Sequence, residues 1–130
     1  MFVTFSSKLT TMSTQEIAER LVELCRKGEF ETAQTELFAS DAVSIEQHAT
    51  PAFEKETKGK DAIKAKSDKW SSMVEEFKGV TISEPLVAPN SFACTLHLNV
   101  VMKGQGPVDM KELCVYEVKD GKITSEAFFM

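Results

Sequence analysis

Cysteine and histidine are scarce in this chain, and their scatter argues against a metal centre. The three cysteines, Cys25, Cys94 and Cys114, are odd in number and far apart, without the short spacings of a zinc knuckle or a redox pair. Reduced thiols in a cytoplasmic protein are the simplest reading. His48 falls in a predicted loop and His97 on a predicted strand, far apart in the chain, so the two do not form a ligand set. Neither a metal nor a cofactor is expected. Long apolar runs are also missing. Nothing approaches the roughly 20 residues that a spanning helix requires, which excludes a membrane role of that kind. Residues 1–11 lack the continuous apolar core and small-residue cleavage pattern of a secretion signal, and they read as a flexible N-terminal extension. Positive charge is in deficit, with 15 Lys+Arg against 20 Asp+Glu and a formal charge of -5. The lysines are spread along the chain rather than gathered on one face, so no nucleic-acid partner is expected.

What is present is enough for one folded domain. The chain has 130 residues, 42% of them hydrophobic and 27% charged, which is too apolar for disorder and sized for a single core over residues 12–130. Ser13 and Glu16 form a capping box, so a helix should begin there. Ile17, Leu21, Leu24 and Cys25 recur at helical spacing before Gly28 stops it. A second helix is read at 30–38, then a short strand at 42–47, in which Val43 and Ile45 alternate with Ser44 and Glu46. Residues 48–59 read as a loop. Asp61 can cap a third helix reaching about Val74, with Ile63, Ser67, Trp70 and Val74 as its inner stripe and the Lys58–Lys69 run on a solvated face.

Strands follow from Phe77 onward. Along Ser91–Met102, Cys94, Leu96, Leu98, Val100 and Met102 share one face, and Thr95, His97 and Asn99 take the other. Asp120-Gly121 is a two-residue hairpin signal between strands at 108–118 and 122–130. Helices first and a strand meander last imply an α+β fold, with three helices on one face of a mostly antiparallel sheet.

Four segments in this order carry a resemblance: Gly28-Glu29-Phe30-Glu31, Phe38 to Glu46, Gly59-Lys60-Asp61-Ala62-Ile63, and Tyr116 to Ile123. Together they resemble the SnoaL-like group of the nuclear-transport-factor-2-like superfamily. The resemblance implies a cystatin-like, cone-shaped α+β barrel with a small-molecule pocket at its open end, and a homodimer formed through the convex sheet face. Similarity to ketosteroid isomerases places their carboxylate base on Glu46. Their two oxyanion-hole donors fall on Leu21 and Cys114, neither of which can replace them. The catalytic Asp of SnoaL-type cyclases falls on Phe128.

A different polar set remains. Glu112, Cys114 and Tyr116 alternate on one strand and share a face, which the resemblance makes concave. Glu126 on the last strand and Glu46 at the side complete the candidate catalytic set with Glu112 and Tyr116. Glu112 and Glu126 are read as a carboxylate pair sharing a proton, against the simpler reading that each points outward or is bonded elsewhere. Leu21, Trp70, Leu96, Leu98, Val100, Cys114 and Phe128 are the expected lining. Ile123 and Glu126 lie an odd number of positions apart, so both can face inward only across a bulge. The expected activity is cofactor-free acid–base chemistry of isomerase, lyase or cyclase type on a small apolar carbonyl or hydroxyl compound. The alternative is a non-catalytic module for binding a small ligand or for dimerisation.

Overall fold

The computed structural model describes residues 11–130. Of the expected extension at 1–11, all but Thr11 lies outside the described residues. Helix α1 spans Thr14–Arg26. Its capping box is formed: the Glu16 N–H donates to Ser13 Oγ at 3.1 Å, and the Ser13 N–H donates to Glu16 Oε1 at 2.8 Å. Ile17, Ala18, Leu21, Val22, Leu24 and Cys25 are buried along one face. The chain then turns through Gly28, whose positive φ of 76° suits a residue without a Cβ. Helix α2, Phe30–Leu37, runs without a loop into strand β1, Phe38–Ile45.

Helix α3 spans Lys60–Ser72 and differs from expectation at both ends. Gly59, at φ 96°, is the capping residue, and no side chain caps the helix. Asp61 sits in the first turn instead, where its charge suits the positive end of the helix dipole. Val74 already belongs to strand β3, Val74–Ile82, so the strands begin three residues before Phe77. Two short strands were not foreseen. Strand β2, Glu56–Lys58, pairs with β1 inside the expected loop, and β4, Leu86–Val87, pairs with β5, Ser91–Met102. Strands β6, Gly106–Lys119, and β7, Lys122–Phe129, complete the meander.

The sheet order is β2-β1-β7-β6-β5-β3, with β4 attached to β5. Among the described residues, only the β1–β7 pair is parallel. The α+β architecture is as expected, with three helices on a curved, mostly antiparallel sheet, but the sheet does not close into a barrel. Asp120 and Gly121, both at positive φ, make the two-residue turn between β6 and β7. One extra residue, Thr124, interrupts the β6–β7 register, where Glu117 faces Ser125 and Val118 faces Ile123. This bulge lets Ile123 and Glu126 both point into the interior, where they are 0% and 7% exposed. Among the described residues, no helix is long and apolar enough to cross a membrane.

Candidate functional site

Between the helices and the concave side of the sheet lies a cavity of about 360 Å³. All four expected catalytic residues, Glu46, Glu112, Tyr116 and Glu126, border it. So do Leu21, Trp70, Leu96, Leu98 and Phe128. Val100 and Cys114 do not. Val100 packs into an apolar cluster with Leu98 and Met102, against which Trp70 lies. Cys114 is buried in the main core opposite Cys94 on β5. Cys25 is the one cysteine on the cavity wall. His48 also borders the cavity, whereas His97 bonds Asp109 on the other face of the sheet.

The polar centre of the cavity is built on the parallel β1–β7 pair. Ser44 is fully buried and faces Glu126 in register. Its hydroxyl donates to Glu126 Oε2 at 2.7 Å. Two positions along the same face, Glu46 leaves the end of β1. Lys66 reaches in from α3 and donates to Ser44 Oγ at 3.0 Å and to Glu46 Oε2 at 2.6 Å. A directional chain results, from Lys66 through the Ser44 hydroxyl to the Glu126 carboxylate. The Lys66 ammonium also lies 5.6 Å from the centroid of the Phe128 ring, within cation–π range.

Ser44 and Lys66 were not among the sequence candidates. Lys66 is not on a solvated face, since its side chain is only 17% exposed. Its position was legible in the helical stripe, because Ile63, Lys66, Ser67 and Trp70 follow the i, i+3, i+4, i+7 pattern of one face. Ser44 was marked by its alternation with Glu46. The expected Glu112–Glu126 pair is replaced by other partners: Glu126 takes its hydrogen bond from Ser44, and the β6 residue in register with it is Tyr116.

Electrostatics set the protonation of this group. Burial pushes the Glu126 carboxyl up to about 7, opposed by the Ser44 hydrogen bond and the Lys66 charge and assisted by the charges of Glu46 and Glu112. Burial also raises Glu112, and Glu46 adds to that rise against the pull of Lys66. Tyr116 is stacked on Phe92 with ring centroids 4.8 Å apart, and burial holds its phenol well above the usual range, so it remains a neutral donor. Among the described residues, no three His, Cys, Asp or Glu side chains are grouped to hold a metal ion.

The Ser44 bond favours the ionised form of Glu126, so Ser44→Ala should raise that group's pKa further. The expected cost is roughly 1.5–3 kcal/mol above about pH 8, where Glu126 is ionised, and much less near pH 5, where it is protonated. Urea unfolding at the two pH values measures the difference.

The architecture recurs in solved structures. A Xanthomonas campestris protein of unknown function with a cystatin-like fold superposes with a TM-score of 0.77 at 16% identity, over 91% of this chain and 90% of that one. A Mycobacterium tuberculosis protein solved with estradiol-17beta-hemisuccinate superposes with a TM-score of 0.70 at 22% identity, over 92% of this chain and 95% of that one. At 33% identity, a Mesorhizobium loti protein provisionally described as a SnoaL-like polyketide cyclase gives a TM-score of 0.85, over 92% of this chain and all of the other. No curated protein matches the chain. The SnoaL-like domain profile matches residues 12–130, and with the identity and superposition just given this shows that the chain belongs to the SnoaL-like domain family.

Proposed function

We propose that the cavity takes a small, mostly apolar compound carrying a carbonyl or hydroxyl group, and that Glu126 moves a proton on it without a cofactor. The observation that carries this reading is a carboxyl poised near neutrality, buried in an apolar cavity and held by Ser44. A general base works best when its pKa lies near the working pH. In the proposed step, ionised Glu126 takes a proton from the carbon beside a ligand carbonyl, and the C–H electron pair moves onto the carbonyl oxygen. Return of that proton to another carbon gives isomerisation, and departure of a leaving group gives a lyase reaction. Glu112 and Glu46 tune the base by their charge, and Tyr116 orients the ligand oxygen.

The volume lies within the range of pockets that hold small organic ligands. The steroid ester bound by the Mycobacterium tuberculosis neighbour supports an apolar ligand class with polar ends. Deuterium incorporation next to the carbonyl of small apolar ketones in heavy water, followed by NMR, tests the reading. Exchange that is accelerated by the protein and lost in Glu126→Gln supports it. Binding with the ketone recovered undeuterated favours the non-catalytic alternative. That alternative rests on Leu21 and Cys114 standing where the isomerases carry their donors.

We also propose that two copies associate through the convex face. Leu113 and Phe129 face each other there in register, each 43% exposed, which is an apolar patch suited to burial. Sedimentation at micromolar concentration is expected to give a dimer, and Leu113→Glu a monomer.

A further inference from the structure

Resting on the ligand class just proposed, we infer that Lys66 is the group that binds and polarises the ligand's carbonyl oxygen. The oxygen that receives electrons during proton removal needs a donor aimed at it, and the two positions that supply one in similar isomerases hold Leu21 and Cys114. A leucine has no donor, and Cys114 does not border the cavity, which leaves the neutral Tyr116 phenol to orient the ligand oxygen and calls for a charged donor to polarise it. Among the described residues, Lys66 is the only lysine or arginine on the cavity wall.

An ammonium has three N–H donors. Glu46 Oε2 and Ser44 Oγ take two of them, at 2.6 and 3.0 Å, and no other described residue accepts the third. The nitrogen lies 5.6 Å from the centroid of the Phe128 ring, and both side chains border the cavity, so the remaining donor is within reach of a ligand there. The two bonds that hold the ammonium also fix its distance from the base, because the Ser44 hydroxyl joins Lys66 to Glu126. Donor and base are therefore joined by one hydrogen-bonded chain.

The step balances in protons and electrons. Glu126 takes the proton, the carbonyl oxygen takes the electron pair as an enolate, and the Lys66 N–H donates a hydrogen bond to that oxygen without transferring its proton. When Glu126 returns the proton to carbon, the charge on the oxygen collapses and the hydrogen bond weakens. Glu46 holds the ammonium in place by pairing with it at 2.6 Å.

The experiment uses 2-tetralone labelled with carbon-13 at its carbonyl. Two signals are read on the full chain: the infrared carbonyl stretch of the bound ketone, and deuterium exchange at its acidic carbon. The wild type is expected to lower the stretch relative to the ketone in an apolar solvent. Lys66→Met should lose that displacement and slow exchange about 10²-fold, the scale seen when one oxyanion donor is removed. Lys66→Arg, which keeps a charged donor, should retain most of the displacement. Should Lys66→Met fail to fold because Glu46 is left unpaired, the double variant Glu46→Gln/Lys66→Met, compared with Glu46→Gln alone, decides by the stretch.

A stretch in Lys66→Met identical to that of the wild type, with exchange within twofold, overturns the role of Lys66 and leaves the acid–base reading standing. A displacement that depends on Lys66, without any exchange, supports the role of Lys66 and removes the acid–base reading. A wild type that does not bind the ketone overturns both.

Discussion

Replacing Glu126 with Gln is expected to slow proton exchange on a bound ketone by ~10²- to 10⁴-fold, the range supplied by a positioned acid or base. Gln keeps the shape and can still accept from Ser44, so the loss reports the missing proton acceptor rather than a collapsed cavity. The same variant should change stability in a direction set by linkage. The folded pKa of Glu126 is raised from its ordinary 4.5 to about 7. The folded state therefore holds this proton more tightly than the unfolded state, and the wild type loses stability as pH rises from 4.5 through 7. At about 1.4 kcal/mol per unit, the loss is about 3 kcal/mol once pH exceeds 7. Glu112 shifts in the same direction and adds to the slope. Glu126→Gln should remove most of this dependence and be more stable than the wild type above neutrality. Chemical denaturation at pH 5 and pH 8 measures it. A wild-type stability that is flat or rising over this interval would contradict a buried, destabilised carboxylate.

Ile123→Ala should cost roughly 2–5 kcal/mol, the range for truncating a fully buried aliphatic side chain. Ile123 is 0% exposed and joins two strand pairs, opposite Phe38 on β1 and Val118 on β6. It sits immediately before the bulge residue Thr124, so little nearby backbone can close a void without disturbing the register that turns Glu126 inward. The expected signature separates this residue from Glu126: a large drop in unfolding free energy that persists at every pH, with exchange per folded molecule nearly unchanged. Equal losses of stability and exchange would show instead that the site geometry depends on this side chain.

Much of the fold was legible because local chemistry and long-range packing agree. Ser13 and Glu16 carry their capping box in four residues, Asp120-Gly121 its turn in two, and the alternation along β5 marks a strand with one wet and one dry face. Disagreement begins where pairing alone makes the structure. Glu56–Lys58 has no apolar alternation because it is an edge strand, held through its backbone to β1. Strand β1 starts at Phe38 rather than Ala42 because Phe38 finds Ile123 across the sheet, which no local pattern announces.

The site divides in the same way. Glu46, Glu112, Tyr116 and Glu126 stood out as acids and a phenol at inward positions of strands. Lys66 was hidden among neighbouring lysines. Its burial depends on α3 crossing the end of β1, where Glu46 supplies a counter-charge. A charge run on a helix is ordinarily solvated, and only the partner across the cavity makes one member an exception.

The placement of the three thiols gives the molecule a built-in reporter. Cys25 opens onto the cavity, while Cys94 and Cys114 face each other deep between β5 and β6. Burial pushes the Cys25 thiol up to about 12, so it holds almost no thiolate at neutral pH and should resist alkylation although it borders the cavity. Cys94 and Cys114 are buried as well. All three should become reactive when the strands separate, so counting modified sulfurs distinguishes an intact molecule from one that has come apart.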